Sequence, residues 1–304
     1  MQTPHIPVLL DEVIKNFQGL DDGYFVDCTL GYAGHSIEIL KNSNTLKHIG
    51  IDRDLEALTF SSNRLKDFSD RSTLYKGQFS QVLPSLKERP IVGLLADFGV
   101  SSLQLDKLER GFSFKSDNLD MRMDSESDLT AFDVVNSYSQ EKLEYIFNHY
   151  GEIKPYEKLA SAIVQARASQ TIDSPKMLNE ISSTVLYQGT KIHPATLMFQ
   201  AIRIEVNSEL DEIEGLLDAL ENIKPTGAII ALITFHSLED RLVKNRFKKW
   251  TKRCICDDNA FRCTCGRDNQ LGKIITKKPI IATASELKIN PRSRSAKMRI
   301  FKFN

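Results

Sequence analysis

Apolar residues in this chain come in short blocks with two alternating rhythms. Residues 24–29, 48–52, 91–97 and 228–233 are largely apolar runs of strand length, and 74–79 reads as a further strand with its trailing loop. The runs at 91–97 and 228–233 are almost wholly apolar, as expected of central strands covered on both faces of a parallel sheet. Between them the spacing lengthens to that of helices: Ser36 opens one, and Leu55, Leu58 and Leu65 line one side of another. An extended segment from His5 leads into a short amphipathic helix ending before Gly19. Strands alternating with helices predict an α/β fold on a mostly parallel sheet. Residues 273–279 and 297–303 are two further strand candidates, read as an antiparallel edge.

The rhythm changes between residues 104 and 203, where no convincing strand occurs. Ser139 can cap a helix bearing Leu143, Ile146, Phe147 and Tyr150 at a 3.6-residue period. Ser174-Pro175 opens another, with proline at its first position. His193-Pro194-Ala195 opens a third, running through Phe199, Ile202 and Val206. The expected organisation is a discontinuous sheet domain, 1–103 and 204–304, interrupted by a helical substrate-recognition insert at 104–203.

Chemistry concentrates where strands end. Asp27-Cys28-Thr29-Leu30-Gly31-Tyr32-Ala33-Gly34-His35-Ser36 joins the first strand to its helix through a turn with glycines at 31 and 34. There the backbone and a helix N-terminus can approach a ligand. The second strand ends in Asp52, placed to accept hydrogen bonds from ribose hydroxyls. The dinucleotide pattern G-x-G-x-x-G is absent, which favours a nucleoside ligand without a pyrophosphate, and S-adenosylmethionine fits. The fourth strand ends in Asp97-Phe98-Gly99-Val100-Ser101-Ser102, and open α/β sheets collect ligands at such carboxyl ends.

Composition sharpens this in two places. With 41% hydrophobic and 26% charged residues the chain is of globular type. Asp11 and Glu12 interrupt the first apolar run, which makes a poor signal peptide, and the run at 228–233 is too short to span a bilayer, so a cytoplasmic protein is expected. The formal net charge of +0 conceals an asymmetry. Residues 241–304 hold eighteen Lys or Arg against four Asp or Glu, a balance of +14, and residues 1–240 carry the opposing −14. Such a basic end suits a polyanion such as nucleic acid, or is simply a solvated tail. Four of the five cysteines, Cys254, Cys256, Cys263 and Cys265, lie within twelve residues. In a reducing compartment that cluster suggests a structural zinc held by four thiolates, against the alternative of reduced cysteines in a surface loop.

Several runs together resemble one family, the bacterial small-subunit (16S) ribosomal RNA cytosine-N4 methyltransferases, RsmH or MraW. They are His5-Ile6-Pro7-Val8-Leu9-Leu10, the turn from Thr29 to Ser36, Asp97-Phe98-Gly99-Val100-Ser101-Ser102 with Gln104-Leu105-Asp106, and Arg110-Gly111-Phe112-Ser113-Phe114. Leu119-Asp120-Met121-Arg122-Met123-Asp124, His193-Pro194-Ala195-Thr196 and Phe199-Gln200-Ala201-Ile202-Arg203-Ile204 follow. Phe235-His236-Ser237-Leu238-Glu239-Asp240-Arg241 and Asn290-Pro291-Arg292-Ser293-Arg294-Ser295-Ala296-Lys297 complete the set, which spans the chain in order. Three positions depart from the family pattern: Ala33 for a glycine, Leu103 for a proline, and Leu197 for an arginine. Ala33 adds only a methyl to the turn, whereas Leu197 removes a cation and with it one phosphate contact.

The resemblance implies a class I methyltransferase sheet of seven strands, the last antiparallel, with a helical insert after the fourth. It implies S-adenosylmethionine at Ala33, Gly34, His35, Asp52, Phe79, Asp97 and Gln104, the Phe79 ring lying against adenine. The acceptor it implies is a cytosine N4 amine in the decoding region of 16S ribosomal RNA within the small subunit. Asp97 and His236 are the candidates for catalytic contact with that amine, and Arg122 and Asp124 either line the target pocket or brace the insert. No metal is needed for transfer from a sulfonium. An NAD(P)-dependent oxidoreductase is disfavoured by the missing third glycine. A non-catalytic RNA-binding assembly factor is disfavoured because a pure binder needs no cofactor turn with Asp52 and Asp97. The sequence leaves the oligomeric state open, a homodimer included.

Overall fold

A computed structural model describes residues 6–186, 194–257 and 261–304. By compactness the chain divides into two units, residues 1–99 with 211–304, and residues 100–210. The expected insert, 104–203, falls inside the second.

The first unit opens with helix α1 (Leu10–Phe17), strand β1 (Tyr24–Asp27) and α2 (Gly34–Lys41). Strand β2 (Lys47–Asp52), α3 (Leu55–Arg64), β3 (Ser72–Lys76), the single turn α4 (Phe79–Val82) and β4 (Ile91–Asp97) follow. The loop expected to trail the third strand is found at residues 77–78, and Phe79 is already the first residue of α4. In the second unit lie α5 (Ser102–Asp106), α6 (Ala131–Ser137), α7 (Gln140–His149), α8 (Tyr156–Ser169), α9 (Pro175–Ser183) and α10 (Pro194–Asn207). The chain returns through α11 (Glu209–Ile223) to β5 (Ile229–Thr234), α12 (Ser237–Trp250), β6 (Gly272–Ile274), α13 (Ala284–Ile289) and β7 (Lys297–Phe303).

The seven strands form one sheet in the order β3-β2-β1-β4-β5-β7-β6. β1 to β5 are mutually parallel, and β7 runs antiparallel between β5 and β6. Because β6 is antiparallel to β7 it points the same way as β1 to β5, so only β7 is reversed. Since both pairings of β7 are antiparallel, the two runs do finish the sheet as the expected antiparallel edge, although only Gly272–Ile274 of the first run is strand. Both faces are covered, as the continuous apolar strands require. Val26, Leu94 and Leu232 pack with Leu216 and Leu220 of α11 and Val243, Phe247 and Trp250 of α12. Their chain neighbours Phe25, Leu95 and Ala231 face the other way, against Val13 and Phe17 of α1. β1 lies between β2 and β4, so successive crossovers leave it in opposite directions, and in open α/β sheets ligands bind at the carboxyl ends of the strands beside such a reversal.

The second unit has its own core, which includes Leu143, Ile146, Phe147, Leu159, Leu178, Met198 and Ile202. Ser139 accepts from Lys142 N at 3.3 Å and Ser174 from Met177 N at 3.4 Å, the caps expected for α7 and α9. Thr130 and Asp133 close a capping box on α6, a helix with no counterpart in the sequence reading. Leu197 packs on the edge of this core, which explains an apolar residue where the family pattern has a cation. His5 and His193 lie outside the described residues.

Candidate active site

Three neighbouring parallel strands, β2, β1 and β4, each end in an aspartate: Asp52, Asp27 and Asp97. The turn after β1 is bound to all three. Asp27 accepts from Thr29 N at 3.2 Å and from Ser36 Oγ at 2.6 Å. Asp52 accepts from Gly31 N at 2.8 Å and Asp54 N at 2.9 Å. Thr29 Oγ1 accepts from Asp97 N at 2.6 Å. From α3, Ser61 Oγ donates to Gly31 O and Arg64 Nη1 to Tyr32 O, both at 2.5 Å. The turn is thus held in shape before any ligand arrives.

Its local geometry explains the residues found there. Gly31 and Ala33 both have positive φ, 50° and 57°. A glycine suits Ala33's position best, and alanine costs about 1 kcal/mol there, yet the turn closes and α2 begins at Gly34. A Cβ on Gly34 would stand 2.4 Å from Pro7 Cγ. Gly34 therefore admits the amino-terminal segment rather than only a ligand. His35 Nε2 is 2.9 Å from Val8 O, which ties the same segment to α2. Glu286 Oε1 receives Leu9 N at 2.8 Å and Ser293 Oγ at 2.6 Å, and Asn290 Nδ2 donates to Ile6 O. Motifs near both ends of the chain are in this way joined beneath the turn.

The electrostatics of the strand ends are unusual. Burial pushes Asp27 up to about 6, against the donation from Ser36 and Thr29, with the neighbouring Asp52 adding to the rise. Burial likewise pushes Asp52 up to about 6, against the Asp54 and Gly31 amides. Asp97 is raised well above the usual carboxylate range by burial, then by the charges of Asp27 and Glu239. Its Oδ1 is buried and finds no hydrogen-bond partner among the described residues. A fourth acid, Glu239 at the start of α12, is fully buried and accepts from Phe235 N at 2.7 Å and His236 N at 3.2 Å. His236 Nε2 stands 3.2 Å from Glu239 Oε1. Acids so placed are costly to ionise together, and a ligand bearing positive charge relieves them. An anionic pyrophosphate would do the opposite.

The remaining predicted residues sit as follows. Phe79 is 7% exposed and belongs to the core, its ring centroid 6.1 Å from that of Phe98. Gln104 lies in the second unit, where Oε1 accepts from Ser101 N at 2.9 Å and Nε2 is 3.5 Å from Met123 O. Arg122 is committed to Asp120 through Nε–Oδ1 at 2.9 Å and Nη2–Oδ2 at 2.7 Å, and to Ser127 O at 2.8 Å. Asp124 Oδ1 accepts from Glu126 N. Arg122 and Asp124 therefore brace their own loop, the simpler of the two expected roles. Sequence reasoning passed over Asp27 and Glu239. The signal for Asp27 was an acid closing a four-residue apolar strand, and for Glu239 an acid three residues after the helix cap.

Sheet order, the reversed seventh strand and the buried aspartates that close β2, β1 and β4 together define a class I S-adenosylmethionine-dependent methyltransferase. The model of the MraW methylase family matches residues 2–304. The ribosomal RNA small subunit methyltransferase H of Sulfurovum sp. (strain NBC37-1) is 66% identical over 303 residues, covering 100% of this chain and 99% of that protein. The protein of the same name from Aliarcobacter butzleri is 55% identical over 304 residues, with 100% of both covered. Among solved structures, an rRNA methylase from Streptococcus thermophilus aligns over 97% of this chain and 93% of its own at 12% identity and a TM-score of 0.39. The chain belongs to the MraW methylase family.

Proposed function

We propose that this protein methylates the exocyclic N4 amine of a cytosine in small-subunit (16S) ribosomal RNA, using S-adenosylmethionine, in the cytoplasm. The observation that carries the reading is the row of acids at the carboxyl ends of β2, β1 and β4, with the buried Asp97 Oδ1 lacking a hydrogen-bond partner among the described residues. The bound cofactor supplies a methyl group already activated on a sulfonium. Its two cationic centres suit strand ends whose carboxyls are raised by burial and by one another's charge. Asp52 keeps lone pairs for ribose hydroxyls beyond the two amides it accepts from. The start of α2 at Gly34 and His35 receives the cofactor's carboxylate, Ala33 N being spent within the turn on Leu30 O at 2.7 Å.

The acceptor amine is a weak nucleophile, its lone pair delocalised into the ring, so rate comes chiefly from alignment and from an acceptor polarising its N–H. Asp97 is that acceptor. The surplus proton leaves readily once the methyl is transferred, and His236, oriented by Glu239, takes it. The base must be unstacked to enter, and the helical unit at 100–210 presents the RNA. The names of the relatives supply the substrate class, and the basic 241–304 segment supplies charge for phosphates. Incubation with labelled S-adenosylmethionine and small subunits lacking the modification tests the reading. Label on a cytosine N4 is the expected result; label on another base or atom, or none, overturns it.

A further inference from the structure

The loop between α12 and β6 has no hydrophobic core of its own. No described residue from Thr251 to Leu271 is buried, Ile255 at 59% and Phe261 at 108% are exposed, and only Leu271, at its far end, packs partly against the sheet core. The loop is nonetheless folded back on itself. Asn269 N donates to Arg253 O at 3.2 Å, its Nδ2 to Cys265 O at 3.0 Å, and Leu271 N to Trp250 O at 2.9 Å. At its centre sit four sulfurs. Cys254–Cys263, Cys263–Cys265 and Cys265–Cys254 are each separated by 3.6 Å, and Cys256–Cys263 by 3.9 Å, with all four within 4.8 Å of one another. A tetrahedron of thiolates about 2.3 Å from a zinc ion has edges of about 3.8 Å. These separations match that figure and are far too long for disulfides, whose sulfurs lie about 2.05 Å apart.

The surrounding backbone is arranged for anionic sulfur. Ile255 N donates to Cys265 Sγ and Thr264 N to Cys256 Sγ, both at 3.4 Å. Backbone amides aimed at ligand sulfurs fix a thiolate cage and spread its charge. The flanking Lys252, Arg253, Arg262 and Arg267 offset the net −2 of a four-thiolate zinc centre. We propose that Cys254, Cys256, Cys263 and Cys265 bind one zinc ion, which takes the place of a hydrophobic core in this loop. On binding, the four thiols release their protons to solvent, and the closed set of four ligands leaves no position for substrate. The ion is structural and stands apart from methyl transfer.

Metal analysis of the full-length protein, purified without chelator, tests this. About one zinc per chain is expected, released on titration with an organomercurial and detected by a zinc-chelating dye. The Cys256→Ser, Cys263→Ser double variant should hold less than about a tenth of an equivalent while binding S-adenosylmethionine as the parent does. If that variant fails to fold, the zinc content and mercurial release of the parent decide the matter alone. Less than about a tenth of an equivalent of zinc in the parent, stoichiometric iron instead, or four thiols that react at once with a disulfide reagent in the native protein would each overturn the proposal.

Discussion

Two groups of acids in the first unit are treated in opposite ways. Asp218 and Glu221 of α11 and Asp240 of α12 all have cations beside them. Arg246 reaches Asp218 at 2.5 Å and Glu221 at 3.2 Å, Lys249 reaches Glu221 at 2.9 Å, and Trp250 Nε1 donates to Glu221 at 3.0 Å. Arg299 clasps Asp240 through Nε–Oδ1 at 2.6 Å and Nη2–Oδ2 at 3.1 Å. Burial would raise Glu221 and Asp240, but these donors outweigh it and hold both below the usual range. At the strand ends burial is deeper and is answered by amides and a serine, with Arg53 the single cation that helps, at Asp52, so Asp27, Asp52 and Asp97 rise. The first group is finished structure. The second is a site that a cationic ligand completes.

If that contrast is right, the same isosteric change should have opposite effects in the two groups. Asp97→Asn should cut methyl transfer by about 100-fold or more, the scale for loss of a preorganised polar contact in a transition state. It should also leave the ligand-free protein as stable or more stable, since a buried like-charge repulsion is removed. Thermal melts and single-turnover transfer on the same preparation check both halves. Asp240→Asn should instead destabilise by about 1–3 kcal/mol, because Arg299 keeps its burial and loses its partner. Denaturant titration measures it, and unchanged stability would remove the paired group from the comparison.

Within the site, Asp52→Ala should weaken S-adenosylmethionine binding by about 1–3 kcal/mol, measured by calorimetry on the folded variant. The pH dependence has a definite sign. Asp27 and Asp52 titrate near 6 in the folded protein, above the ordinary carboxylate value, so the folded state binds more protons than the unfolded one. Their contribution to stability is therefore present in full below about pH 4 and lost as pH rises through about 6. A cationic ligand reverses this, so the gain in melting temperature on adding S-adenosylmethionine should be larger at pH 8 than at pH 5.

What the sequence made legible was whatever local pattern decides. The span Ile91–Asp97 follows from an unbroken apolar run ending in a charge, and the caps at Ser139 and Ser174 from side chains that bond three residues on. Tertiary pairing was not legible. Arg246 and Lys249 look like members of a solvent-facing basic helix, yet their partners Asp218 and Glu221 lie 25 to 28 residues away on α11. Gly34 reads as a ligand-facing glycine, whereas Pro7 is what it accommodates. Asp27 was hidden because its partner Ser36 becomes a neighbour only when the turn closes.

That pairing also redefines which cations are free to meet RNA. Lys248, Lys252 and Arg253 are exposed and make no ion pair among the described residues. Charge reversal at Lys248 and Lys252 should weaken small-subunit binding and reduce the salt slope by about 1–2, leaving S-adenosylmethionine affinity unchanged. An unaltered slope would remove this end of α12 from the RNA footprint.

The most direct test of the strand-end acids is proton release on cofactor binding. Calorimetry of S-adenosylmethionine binding at pH 6, in buffers of different ionisation enthalpy, counts the protons exchanged. A positive ligand lowers the raised carboxyls of Asp27 and Asp52, so protons should be released at pH 6 and fewer at pH 8, where both are already ionised. No exchange at pH 6, or net uptake, would contradict the claim that these aspartates await positive charge.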